Sequence, residues 1–288
     1  MKIRRIKVLL AKGWCKVVCF VSFSLLSVIC NHASAQKAGD MISGVAGVKI
    51  DTVLMSIDEA IEELERIPGY GMVFDDEASF VNTKFENGYG YVDLGLSVKW
   101  ATMNVGASAP QESGDYYAWG ELEPKEVYDW MTYSFRTEGD TVYDVKLSKY
   151  NTKKNHGTVD NITSLLKADD VANVKWGGNW RYPTIAEIEE LADENNCTWT
   201  WTTKKGVHGY KVKSKKKGFK RRYIFIPGTS EPVNFGIEDN KAKGTYWSST
   251  LIEAFYACTL SFLPDKISVY GAAERPVGLP IRPVCPKW

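Results

Sequence analysis

The sequence predicts a mixed α+β fold, and three observations carry that expectation. Strand-like runs are short and separated by Gly, Pro and Ser turns, as in YVDLGLSVKWATMNVGASAPQESGDYYAWGE from Tyr91 to Glu121. Helical periodicity is confined to a few brief segments. Large rings are plentiful, with 10 Trp, 15 Tyr and 11 Phe in 288 residues, which suits a compact sheet core holding long loops.

The first element is a leader. The basic start MKIRRIKVLLAKGWCK, the 14-residue apolar run VVCFVSFSLLSVIC and the Ala-Ser-Ala site in NHASAQ describe a signal peptide, residues 1–35, with cleavage between Ala35 and Gln36. The run falls short of the roughly 20 residues of a spanning helix, so no transmembrane segment is expected after its removal. A lipoprotein route through Cys30 is opposed by Ile29, where a small residue is normal. Export by the Sec route, to the periplasm, the outer-membrane surface or the medium, is the expectation.

Cleavage changes both the charge and the thiol count. Six basic residues and no acid leave with the leader, so thirty basic and thirty-five acidic residues remain, a net charge of −5. Residues 203–223 nevertheless hold ten basic groups and no acid, which leaves −15 on everything else. Cys197, Cys258 and Cys285 remain in an oxidising compartment. Cys258 with Cys285 is the expected disulfide, both lying in predicted strands of a closing sheet, and its loop would constrain the unfolded chain by about 3–4 kcal/mol. Cys197 with Cys285 is the rival pairing.

Residues 36–80 read as a small β-α-β element: VKIDTVLM, then SIDEAIEELERI, then GYGMVFDD. Ser56 and Glu59 have capping-box spacing, and Ile57, Ile61 and Leu64 form a narrow apolar stripe. Residues 81–90, polar and Gly-rich, read as a linker, and 91–286 as the main domain. Two helices are expected there. One runs from about Leu165 to Asn173; the other runs from Ile185 to Asn195, announced by Pro183, a Thr184 N-cap and Glu187 three residues on. Asp169 and Asp170, adjacent on the first helix, have diverging side chains and read as a solvated face rather than an acid/base pair.

Four ordered motifs carry a family resemblance. The Tyr91–Glu121 stretch, GGNWRYPTIAEIEEL at 177–191, GTYWSST at 244–250 and GLPIRPV at 278–284 resemble the Fibrobacter succinogenes major paralogous domain, over roughly residues 89–286. The resemblance implies a C-type-lectin-like domain with short antiparallel strands, two short helices and long loops, in an exported bacterial family with no established activity. It implies core roles for Trp100, Trp119, Trp180 and Trp247, and buried structural pairs for Arg181 and Arg282. The related formylglycine-generating enzymes act through cysteines near the domain end. Cys258 and Cys285 lie in that region, but no matching motif surrounds them, and the activity is not carried over.

The catalytic motifs are absent from the mature chain: there is no GxSxG, HExxH, P-loop or GxGxxG, and its two histidines, His156 and His208, stand in polar contexts. No enzyme and no cofactor are expected. Calcium is disfavoured, because only the loop with Glu231, Asn234, Glu238, Asp239 and Asn240 offers several oxygens and the lectin Trp-Asn-Asp strand is missing. Candidate ligand contacts are Trp130, the pair Trp199 and Trp201 on one face of a strand that is either core or platform, and Lys215, Lys216, Lys217 and Arg221 in the basic 204–222 loop. That loop suits an anionic polysaccharide by counterion release, and an exported protein has no nucleic acid as its assigned partner. The expected function is a non-catalytic exported binding or adhesion module for a glycan or surface protein. A structural component of a surface assembly and a degenerate relative of a cysteine-dependent oxidising enzyme are the alternatives.

Overall fold

The computed structural model describes residues 83–141, 143–229 and 243–287. The leader with its Ala35–Gln36 site, the 36–80 element and the Glu231–Asn240 loop lie outside the described residues. What is described is a mixed α+β arrangement of antiparallel sheets with two α-helices.

The first sheet has the order β1-β2-β3-β12, from Lys84–Glu86, Tyr89–Val92, Val98–Ala101 and Val284–Pro286. Residues 84–90, expected as linker, are thus part of the domain. Asn87 and Gly88, both at positive φ (46° and 85°), make the two-residue turn that matches strand twist. Within the Tyr91–Glu121 stretch the two strands are the end of β2 and β3, and Tyr117 adds one bridge with Leu279.

A second sheet stacks β9 (Gly244–Glu253), β10 (Tyr256–Leu263) and β11 (Lys266–Glu274) in the order β11-β10-β9. A third holds β6 (Cys197–Lys204), β7 (Val207–Ser214) and β8 (Tyr223–Pro227), and β4 (Arg136–Glu138) pairs with β5 (Lys146–Leu147). The first expected helix is displaced. A 3-10 turn, Lys167–Asp169, precedes α1 (Val171–Trp176), because Asp170 stops the turn and caps a new helix by accepting from the Asn173 amide. Helix α2 (Ile185–Ala192) has the full capping box: Thr184 Oγ1 accepts from the Glu187 amide at 3.3 Å and Glu187 Oε2 from the Thr184 amide at 2.8 Å. It ends before Asn195, since Asp193 leaves helical geometry at ψ 120°.

Three aromatic-rich clusters form the core. One centres on Trp119, Trp180, Trp247 and Tyr182, one on Trp100, Tyr210, Tyr246 and Phe262, and one on Trp130, Tyr133 and Phe255. Each fully buried indole removes roughly 150–250 Å² from water, on the order of 4–6 kcal/mol at about 25 cal/mol/Å². Polar edges are satisfied across elements. Trp119 donates to Ser248 O, Trp247 to Tyr117 O and Trp180 to Glu86 O, each at 2.8 Å, which fixes the register between motifs that are distant in sequence.

Candidate binding surface

The third sheet is built from a segment without acidic residues. From Cys197 to Pro227 there are ten basic residues and neither Asp nor Glu. Strand alternation divides it into two faces. In the register Trp199↔Val212 and Trp201↔Tyr210, with Ile224 and Ile226 beside them on β8, one face turns to the core. The other pairs Thr198 with Lys213 and Thr200 with Lys211, flanked by Tyr223 and Phe225. Thr198, Thr200 and Lys213 are exposed.

Of the two alternatives for Trp199 and Trp201 the structure favours core, with both rings half-buried against the cluster around Tyr210. Trp199 donates its indole N–H to Leu191 O at 3.0 Å, and both rings meet Tyr210 edge-on at about 5 Å. Trp130 is also removed from the list of ligand contacts. It is buried against Tyr133 and Phe255, and donates to Glu274 Oε2 at 2.8 Å. The isolated appearance of WMTYSF in sequence concealed this, because two of the partners of Trp130, Phe255 and Glu274, lie 125 and 144 positions away.

The basic turn is docked rather than a free tip. Phe219 packs at Gly95, whose φ of +79° and lack of Cβ permit the approach; a Cβ there would stand 2.8 Å from the Phe219 ring. Arg222 and Lys287 lie over the same ring at 4.6 and 5.4 Å, and Arg222 donates to Asp93 O. Lys215 continues the ladder by its amide to Asn196 O and sends its ammonium to Glu194 O at 2.6 Å. Lys215 and Lys217 are exposed, while Lys216 and Arg221 are half-buried. The structure thus gathers Lys215, Lys216, Lys217 and Arg221 at one end of the sheet.

The disulfide expectation is corrected: Cys197, Cys258 and Cys285 are all free thiols. Cys258 stands on β10 opposite Ala272 and Cys285 on β12 opposite Lys99, in different sheets, and Cys197 lies opposite Ser214 in a third. Burial pushes the Cys197 thiol up to about 12 and Cys285 up to about 11, and raises Cys258 as well, so all three stay protonated at neutral pH.

Other titratable groups serve the scaffold. Asp170, expected on a solvated face, is buried: its two oxygens accept from the Asn173 and Tyr182 amides, and burial raises it to about 6. Asp169 accepts from Lys149 and from the Tyr150 hydroxyl. Arg181 forms a two-pronged pair with Glu187 at 2.5 and 2.8 Å. Arg282 is buried on neutral oxygens of Asn104, Ala101 and Phe225, and burial lowers it to about 10. Among the described residues, no cluster of three or more His, Cys, Asp or Glu could hold a metal. A crevice of about 30 Å³ between Val92, Thr102 and Pro110 on one side and Lys204, Tyr223 and Phe225 on the other has room for about one water, far below the ~300–1,000 Å³ of a small-molecule site.

No protein-family model, curated protein or solved structure matches this chain. Its site is thus read from its own residues.

Arg275 is the residue that sequence reasoning missed. Fully buried, it donates to Tyr133 OH and to the carbonyls of Tyr150, Ala254 and Lys149, inside a ring of Trp119, Tyr133, Phe135 and Tyr150 at 5.2–5.9 Å. It ties three loops and the end of β11 together. The only available signal was its place beside a proline in ERPVG, which mirrors Arg282 in IRPV.

Proposed function

We propose that this protein is an exported, non-catalytic binding or adhesion module on a C-type-lectin-like scaffold, and that its ligand is a glycan or a surface protein. The observation that carries the reading is the split between inward and outward chemistry. Cys197 and Cys285 are buried and Cys258 is half-buried, all three thiols are raised by burial, Asp170 and Glu187 serve as helix caps, and Arg275 and Arg282 hold carbonyls. Thr198, Thr200 and Lys213 of the third sheet present exposed side chains to a partner. Export is supported by the leader-like start. The order of the four motifs supports the scaffold.

The test joins a glycan array, probed with the full mature protein, to protease treatment of intact cells. Binding to a defined glycan, or cleavage at the surface, is the expected outcome. Absence of both would sink the adhesion reading.

A further inference from the structure

The outer face of the β6-β7-β8 sheet points to a track for a polyanionic glycan, one carrying repeated sulfate or phosphate groups, and we propose that this is the ligand class of the module. The inference rests on the binding-module reading and deepens it. Lys211 and Lys213 share this face by strand alternation, and Lys215 extends their row, because its amide bonds to Asn196 O one step beyond the Cys197↔Ser214 pair. At about 3.4 Å per residue, successive ammonium groups in the row start about 7 Å apart. Lys217 adds a further exposed cation at the end of the row. Opposite Lys213 and Lys211, Thr198 and Thr200 place hydroxyls one strand spacing away, about 5 Å. The exposed ammonium groups of Lys213 and Lys217 can take anionic oxygens, and the hydroxyls can bond to sugar hydroxyls beside them.

Along the chain the side-chain charge of the sheet is of one sign. The whole sheet, Cys197 to Pro227, contains no carboxylate side chain, although the mature protein carries a net charge of −5. Cationic side chains on flexible stems bind a polyanion mainly by releasing its counterions, so affinity falls steeply with salt. A nucleic acid would also be drawn to this charge, but single strands are held by rings on which bases stack. Among the described residues this face offers no open ring: Trp199 and Trp201 turn to the core, Phe225 is buried, and the Lys211 ammonium stands over Tyr223 at 4.2 Å from the ring centre. Hydroxyls alternating with ammonium groups favour a charged sugar polymer.

The experiment measures binding of heparin, as a sulfated glycan, and of neutral dextran to the full mature protein by calorimetry at 50 and 300 mM salt. A companion variant combines Lys213→Ser, Lys215→Ser and Lys217→Ser; a control combines Lys84→Ser, Lys154→Ser and Lys266→Ser, exposed lysines elsewhere. We expect heparin binding that weakens at least tenfold between the two salts, drops at least tenfold in the sheet variant and survives in the control. The urea midpoints of all three proteins should differ little, since every altered side chain is exposed and the sheet variant gives up only the exposed bond from Lys215 to Glu194 O. Equal binding by wild type and sheet variant, an equal loss in the control, or competition by duplex DNA as strong as by heparin at matched charge would each overturn the inference. Binding of a neutral glycan on the array without heparin binding overturns it and leaves the module reading standing. No binding on the array or to heparin, with no surface cleavage, overturns both.

Discussion

At Asp170, one carboxylate oxygen caps α1 through the Asn173 amide and the other accepts from Tyr182 at 2.8 Å. These bonds favour the anion, yet removal from water outweighs them and raises the group to about 6 from its ordinary value near 4. The folded protein therefore holds a proton between about pH 4 and 6 that the unfolded chain has released. Stability from this group is present at low pH and is lost as pH rises through 6. The distance between about 6 and the ordinary carboxylate value corresponds to stability on the order of 3 kcal/mol. Glu187, held below the usual carboxylate range by its Arg181 and Thr184 partners, acts oppositely, but only below about pH 4.5. His156, lowered by burial and by Lys153 and Lys146, opposes this over the same range, so from pH 5 to pH 7 the urea midpoint of the wild type should fall relative to that of Asp170→Asn. Asp170→Asn should be weaker at pH 5, because its amide points a donor at another donor, and should lose this slope. A slope unchanged by the substitution would contradict the assignment.

Helix α2 is where local sequence and tertiary structure agree most closely. Thr184 and Glu187 cap it, and the same Glu187 grips Arg181, whose backbone bridges to Val284 of β12. Thr184→Ala should cost about 1 kcal/mol, as N-cap losses do. Glu187→Ala should cost more, since the cap and a half-buried guanidinium lose a partner together. Comparison of the two urea midpoints checks the order. This helix was legible in sequence because every part of the signal lies within seven residues, Arg181 aside. The first helix was misplaced because its start depends on Asp170 meeting Tyr182, a contact between elements. The register of TWTWT against β7 was equally hidden: alternation showed that Trp199 and Trp201 share a face, but which face is buried depends on α2, β8 and Phe262. The basic cluster was legible as charge. Its docking through Phe219 onto Gly95 was not, since 124 positions separate them. The disulfide expectation failed for a similar reason, as spacing says nothing about which sheet a strand joins.

The three core clusters each contain a buried tyrosine: Tyr182 in the first, Tyr246 in the second and Tyr133 in the third. Burial raises all three phenols above their ordinary value near 10. The folded state thus keeps protons that the unfolded chain gives up above pH 10, so stability falls as pH rises beyond that point, and it falls in every cluster at once. Alkaline unfolding should be a single cooperative transition followed alike by tyrosine absorbance and far-UV circular dichroism. The three phenols differ in what holds them. Tyr246 donates to Pro227 O at 2.6 Å and Tyr133 to Trp119 O at 2.7 Å, whereas the Tyr182 hydroxyl meets no hydrogen-bonding atom among the described residues. Tyr182→Phe removes a buried polar atom that gains nothing in return, and should raise stability at pH 7 by on the order of 1 kcal/mol. It should also move the alkaline midpoint upward. Tyr246→Phe strands the Pro227 carbonyl and should lower stability at pH 7 by about the same amount while still relieving the alkaline penalty. Urea unfolding at pH 7 and pH 10.5 separates the two effects. If Tyr182→Phe proved as costly at pH 7 as Tyr246→Phe, the Tyr182 hydroxyl would have a partner, and the first cluster would be held by a bond that its packing does not require.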